Sequence, residues 1–580
     1  MLLSWLCKVD NANPEVANNE TNKIPNNSTL TVLVLAKTFS IIFCIGTPFD
    51  LNLECMLMFK SFYHSLHFVV WGVFLNFGSI HALFSGRFDH FPIIFFLFFS
   101  FFLSLYLPLI QDENLHSIIL YEQTLDPFSL VPTLFSYPIS WKPFLFFWTY
   151  APFYSLPISP AISLRLPSIL FGLLSLITTR EFLKNLQFSS LQIFAILSMV
   201  VTSISFMYSG YVIHPDMMIN FFVILSLYLI SRKDADLRIS LLVGLLAFIG
   251  VFVKTIFAFL IPFLCFFYFL FYCRQKAFSL HSLVILIGAG LGFATHFLVL
   301  ELGSPGLGIQ AYYTDFFVAH LTHSFDPFSK IIATLGGIQT IFETQLIWFV
   351  LSIFGFASNY KKQPFFSFWY LLCIPLIISQ MFAPWYFLPV IIPISFFALS
   401  FISRIKKDLT FHDFDKFEKV VFSLFFISSF ILLCFQFYDT SIYRFGNQKV
   451  AGEFLANKEN VLIIGDYAPG IVGHKMHTEI KSIGKPLDFG WFFNLNQSDF
   501  AALIPVIYSN YSALVPNTKT GSFTDLYFVN SNFRKDSNLT GNFTYVAFVN
   551  NENPFTNGRL VLNESNGNKR ILVYEFRNKN

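Results

Sequence analysis

The chain has 580 residues, of which 55% are hydrophobic and only 12% charged, with 80 Phe. A soluble globular protein carries about 25% charge, so this composition excludes a water-soluble enzyme and selects the membrane class. A formal net charge of +3 gives no reason to expect a nucleic-acid partner.

Residues 1–29 are polar and Asn-rich and lack the basic start, apolar stretch and cleavage site of a signal peptide. Apolar runs then recur with the length a bilayer needs, about 20 residues each. They lie at 30–48, 65–85, 91–110, 161–179, 190–208, 212–231, 238–254, 256–272, 279–301, 342–358, 364–381, 386–403 and 419–438. The expected fold is therefore a polytopic α-helical membrane protein of about 13 spans. The first two, within 30–89, precede a unit covering 90–440.

Loop charge orients these spans. "GRFDH", "TTREFLKN", "SRKDADLR", "CRQK", "NYKKQ" and "SRIKKD" are basic and fall on alternate turns of the chain. Basic loops stay on the cytoplasmic side. One orientation satisfies all of them, with the N-terminus cytoplasmic and the C-terminus outside the cytoplasm, in a multi-pass protein of the cell membrane. Two long outer loops result, 111–160 and 302–340, with apolar stretches too short to span that suit the interface.

From 441 to 580 the pattern changes to short alternating runs such as "VLIIGD", "TYVAFVN" and "RILVYEF". These predict a soluble α/β or α+β domain. Asn-x-Ser/Thr triplets at Asn496, Asn510, Asn538, Asn542 and Asn563 fit an outer location. Seven cysteines are present, none after Cys434, and no metal or redox spacing occurs among them. His320 and His323, with Asp315 and Asp326 nearby, do not match a known metal-ligand pattern.

The topology gathers ionisable residues at the outer face. Asp112 and Glu113 follow the third span, and Lys142 lies in the same loop. Arg165 and Asp216 sit about one turn inside their spans, and Lys254, Glu301, Asp315 and Glu343 map near that face. Charged groups at membrane depth are costly and suggest function. A sugar on a lipid phosphate needs this chemistry. Cations neutralise the leaving phosphate, and one carboxylate takes the proton of the acceptor hydroxyl.

"IQDENLHSI", "SWKPFLFFWTYAPFYSLP", "ISLRLPSILFGLLSL" and "WYFLPVIIP" occur in that order. Together they resemble the GT-C glycosyltransferases, specifically glycosyltransferase family 39, which includes dolichyl-phosphate-mannose protein mannosyltransferases and the aminoarabinose transferase. The resemblance covers about 90–440, with a similarly placed C-terminal domain. It implies Asp112 as catalytic base and Glu113 as its neighbour. Lys142 and Arg165 would hold the donor phosphate or shape the site, and Asp216 and Tyr386 match later substrate-binding positions. Phe144 replaces a second Pro, no basic residue precedes Tyr386, and two extra spans come first.

The expected activity is inverting transfer of one sugar from a polyprenyl- or dolichyl-phosphate donor to an acceptor hydroxyl on a protein, lipid or glycan. The lipid-phosphate sugar is a substrate; no resident cofactor is named, and a divalent metal is left open. The alternatives are a transporter or flippase of lipid-linked sugar, an oligosaccharyl transferase-like enzyme lacking the Trp-Trp-Asp-Tyr-Gly motif, and a membrane scaffold.

Overall fold

The computed structural model describes residues 88–134, 137–139, 142–156, 158–309, 347–372, 384–408, 446–456, 461–464, 545–549, 559–566 and 569–575, with shorter pieces at 312, 345, 374, 424–425, 427–432, 434, 436, 458, 470–471, 473–475 and 477–478. The segment 1–29, the expected spans at 30–48 and 65–85, and most of the 302–340 loop lie outside the described residues.

The first described helix, α1 (Phe91–Tyr106), stops short of the expected 110. Pro108 disfavours helical geometry in the residue before it, and Leu107 is extended, with ψ of 132°. After this elbow comes α2 (Gln111–Leu125), whose sequence "QDENLHSIILYEQTL" is too polar for a span. It is nevertheless buried over its whole described length. The region expected as a loop over 111–160 thus begins with a helix. It continues through a two-residue hairpin, β1 (Thr133–Leu134) and β2 (Tyr137–Pro138), to α3 (Phe144–Tyr150).

The apolar body follows. It comprises α4 (Leu166–Asn185), α5 (Ser190–Val201), α6 (Ile204–Tyr211), α7 (Asp216–Ser231) and α8 (Leu237–Lys254). Then come α9 (Leu260–Tyr272), α10 (Leu280–Gly303), α11 (Ile347–Asn359), α12 (Pro364–Leu371) and α13 (Ile391–Asp408).

Among the described residues, four helical segments are long and apolar enough to cross a membrane: Ala161–Asn185, Leu237–Tyr272, Arg274–Gly303 and Trp385–Arg404. The α5–α6 pair, bent by 69°, makes a fifth. The chain is an integral membrane protein; these spans are those of the described residues, and the expected spans at 30–48 and 65–85 lie outside them. Three expected spans, at 91–110, 212–231 and 342–358, correspond to apolar helices of under 18 residues. The span expected at 190–208 is broken, because Thr202 and Ser203 turn their hydroxyls onto the carbonyls of Ser198 and Val200.

Leu237–Tyr272 does not run straight. Lys254 is extended (φ −156°, ψ 91°), and a short 3-10 turn, Thr255–Phe259, follows. A Cβ on Gly250 would lie 3.3 Å from Ala258 Cβ and 3.6 Å from Ile261 Cδ1. Eight residues of straight helix would separate such atoms by about 12 Å. The chain therefore folds back, with Lys254 at the tip.

The C-terminal part supplies α14 (Gly446–Leu455) and a four-stranded sheet of order β3-β4-β6-β5. Its strands are β3 (Val461–Ile464), β4 (Tyr545–Val549), β5 (Arg559–Asn566) and β6 (Lys569–Glu575). β3 and β4 are parallel, and the other pairings are antiparallel. Ile571, Leu572, Val573 and Tyr574 of the central strand β6 are all buried, so both sheet faces are covered there. Ile571 and Val573, with Ala451, Leu455 and Ile471, share one core with Leu115, Ile118 and Ile119 of α2, Phe146, Phe147 and Tyr150 of α3, and Ile213. The polar-looking helix α2 is thereby sandwiched between the apolar body and the C-terminal part.

Candidate functional site

Glu113 occupies the third position of α2, and Arg165 precedes α4. Arg165 donates from Nε to Glu113 Oε1 at 2.7 Å and from Nη2 to Oε2 at 2.5 Å. Two more of its donors go to the carbonyls of Leu107 and Pro108, each at 2.9 Å. Glu113 also accepts the backbone N–H of Ile110 at 2.9 Å and of Ile213 at 3.1 Å. Both side chains are 0% exposed. A two-pronged guanidinium matches a carboxylate, and burial without such pairing would be prohibitive. The pair ties the elbow after α1, the start of α2, the start of α4 and the 212–215 connection together. Asp112 is the second residue of α2, and its side chain lies outside the described residues.

Residues 212–215 are not helical, although they lie between two apolar helices. Unpaired backbone in such a setting costs several kcal/mol per group, roughly. Here the groups are paired. Ser168 Oγ donates to Val212 O (2.6 Å), His116 Nδ1 donates to Ile213 O (2.7 Å), and Tyr150 OH donates to His214 O (3.3 Å). Because a carbonyl only accepts, His116 carries its proton on Nδ1. Burial, and next the charge of Lys142, hold the His116 imidazole well below its usual basicity.

Asp216 opens α7 directly after "HP". It is buried, with Oδ1 accepting from Lys254 Nζ at 2.5 Å and Oδ2 accepting from His214 Nδ1. Lys254 reaches it only because the chain folds back at that residue. Its ammonium also lies over the rings of Phe257 (4.3 Å) and Tyr386 (4.7 Å). Such cation–ring contacts help hold a partly desolvated cation. Tyr386 stacks on Phe257 from a 3-10 segment, Pro384–Val390, rather than from the helix start expected for "WYFLP". The His214 ring meets His116 at 5.3 Å and Trp385 at 4.7 Å. Lys142, half-buried before α3, acts electrostatically on His116, His214 and Asp216. Below Asp216 a cavity of about 10 Å³, lined by Asn220, Phe257, Trp385, Leu388 and Pro389 among others, has room for about one water.

The structure thus brings Lys142, Asp216, Lys254 and Tyr386 into one cluster, with Glu113 and Arg165 in the bracing beside it. Glu301 is apart from this cluster and accepts the N–H groups of Gly306 (2.8 Å) and Ile309 (3.0 Å) as a turn cap. Asp315, His320, His323, Asp326 and Glu343 lie outside the described residues. Sequence reasoning did not single out His116, His214 or Trp385. His116 stands four residues after Asp112, on the same side of α2. His214 adjoins the helix-starting Pro215. Among the described residues no three His, Cys, Asp or Glu are grouped to hold a metal ion.

No protein-family model matches the sequence, and no curated protein matches it. Among the solved structures that resemble the chain are two of one protein. ArnT from Cupriavidus metallidurans bound to undecaprenyl phosphate gives a TM-score of 0.46 at 11% identity, covering 83% of this chain and 97% of that one. The same protein in the apo state gives 0.45 at 12% identity, with coverages of 83% and 97%. Likeness at this level assigns no activity to the present chain.

Proposed function

We propose that this chain is an inverting glycosyltransferase that moves one sugar from a polyprenyl-phosphate donor, dolichyl phosphate included, to an acceptor hydroxyl at the outer face of the membrane. The observation that carries the reading is the convergence of Lys142, His214, Asp216, Lys254 and Tyr386, from separate parts of the chain, beside the helix whose second residue is Asp112.

In this reading the Asp112 carboxylate takes the acceptor O–H proton. The freed oxygen pair forms a bond to the anomeric carbon from the side opposite the phosphate. The bond from that carbon to the phosphate oxygen breaks, and its electrons leave on the lipid phosphate, which needs no proton. Lys142 neutralises the departing charge. Asp216 and His214 hold Lys254, with the Tyr386 ring beside its ammonium, so this cation stays fixed at the site. Glu113 and Arg165 act through position, since neither has exposed surface from which to touch a substrate.

The test is Asp112→Asn in vesicles supplied with labelled polyprenyl-phosphate sugar. Loss of a general base costs about 10²–10⁴-fold in rate. The variant should keep its thermal midpoint and lose transfer by that margin. Transfer at the wild-type rate would reject Asp112 as base. Movement of the donor across the bilayer with no sugar product would instead identify a carrier, for which the broken α5–α6 pair would be the natural moving part.

A further inference from the structure

The C-terminal residues around 470–478 bond directly to the first turns of α2. His477 Nε2 lies 3.0 Å from Ser117 Oγ, and its Nδ1 lies 3.1 Å from Tyr154 OH. Ser117 spends its own proton on Asn114 O at 2.7 Å. The Ser117 oxygen must therefore accept from His477 Nε2–H, and Nδ1 must accept from the Tyr154 hydroxyl. A one-directional chain results, from Tyr154 through His477 and Ser117 to the backbone of Asn114.

Two further contacts reach the same turn. His474 Nε2 donates to Leu109 O at 3.2 Å, and the Asn114 amide donates to Leu109 O (3.0 Å) and Ile110 O (3.1 Å). Gly473 packs so close that a Cβ there would lie 2.4 Å from Asn114 Oδ1. His474 and His477 are each only 8% exposed, so these bonds do not compete with bulk water.

We propose that the 470–478 segment is a positioning clamp for the catalytic turn of α2, with His474 and His477 as positioning residues. The clamp rests on the reading above, in which Asp112 meets the acceptor hydroxyl. The ion pair of Glu113 and Arg165 secures the turn toward the apolar body, and the clamp secures it toward the C-terminal sheet. The C-terminal part then has a defined catalytic duty, which is to hold the base in register with the donor site.

The experiment uses the full chain with His477→Leu, His477→Gln and Gly473→Val. Glutamine offers an N–H donor group and an oxygen acceptor on separate atoms, as the neutral ring does on its two nitrogens, whereas leucine offers neither. Hydrogen exchange over 107–118 is read together with kcat and donor KM for polyprenyl-phosphate sugar. His477→Leu and Gly473→Val should each speed exchange over 107–118 by about tenfold. They should lower kcat by about tenfold to a hundredfold, as misplaced groups do, with donor KM within about twofold. His477→Gln should recover both. Unchanged exchange over 107–118 in both His477→Leu and Gly473→Val would overturn the clamp, and so would a kcat loss as large in His477→Gln as in His477→Leu. If the wild-type chain made no sugar product, the transferase reading would fail, while the exchange data would still decide whether the segment holds α2.

Discussion

Glu113 and Arg165, 52 positions apart in sequence, share two hydrogen bonds of 2.7 and 2.5 Å and have no exposed side-chain surface. Removing one partner leaves the other charged and buried, at a cost of about 3–5 kcal/mol. Arg165→Ala should therefore lower the thermal midpoint of the purified protein sharply. Arg165→Lys should recover only part, because an ammonium cannot bridge both oxygens and two carbonyls at once. A midpoint within a degree of wild type for Arg165→Ala would show that the pair does not brace the fold.

The Asp216–Lys254 contact should behave as a coupled unit. Lys254→Met takes the cation from the Asp216 carboxylate and leaves it His214 alone, and Asp216→Asn takes the opposite charge from the ammonium, which keeps its ring contacts. The double variant should be less damaged than the sum of the singles, with a coupling of about 1–3 kcal/mol in a double-mutant cycle on stability. Strict additivity would mean that the two groups do not depend on each other.

Helices α8 and α10 approach closely, and two glycines of α10 should respond in opposite ways. A Cβ at Gly288 would sit 2.1 Å from the Gly244 carbonyl oxygen, whereas at Gly290 it would meet nothing within 4 Å. Gly288→Ala must push the helices apart and should cost about 1–3 kcal/mol. Gly290→Ala should be neutral or stabilise by up to about 1 kcal/mol through helix propensity. Thermal denaturation of the two variants side by side checks this, and equal effects would contradict the packing.

Acid should loosen the clamp. Burial first, and then the charges of Lys449 and Arg165, push His474 down to about 4, against the raising effect of its bond to Leu109 O. Burial, and next His474, push His477 down to about 3. An unfolded histidine titrates near 6.5. Between about 6.5 and 4 the unfolded chain therefore binds protons that the folded one refuses, and stability falls as pH falls through that window. Above it the contribution is fully present. The other titratable groups nearby are Tyr154 on His477, Tyr121 against Tyr154, and Lys475 in the same segment. The thermal midpoint should drop on acidification from pH 7 to 5, and His474→Gln with His477→Gln should flatten that slope. An unchanged slope would assign the acid sensitivity elsewhere.

Some of the candidate site was legible in residue order. Asp216 and Lys142 were marked because a charge beside an apolar run is expensive and therefore conspicuous. Arg165 was marked on the same ground, and Tyr386 by resemblance. Lys254 was noted only as mapping near the same face. What sequence reasoning missed were neutral or aromatic groups. His116, His214 and Trp385 look ordinary in sequence, because an imidazole or indole near apolar residues carries no visible penalty. The apolar boundary at 254–256 marked a break in the helix, but not that folding back would deliver Lys254 Nζ to a carboxylate 38 positions earlier.

The sequence by itself determined the solvent of this protein. Transfer of apolar side chains from water is a sum over residues, so composition and run length suffice to select a bilayer. Only tertiary structure decided what the charges do. Arg165 and Glu113 neutralise each other instead of facing a substrate, α2 is buried despite its polar face, and two distant histidines bond to Leu109, just before α2, and to Ser117 within it. Each of these depends on distances of about 3 Å between residues far apart in the chain. Electrostatic and hydrogen-bond energies fall steeply with such distances, and chain order does not encode them.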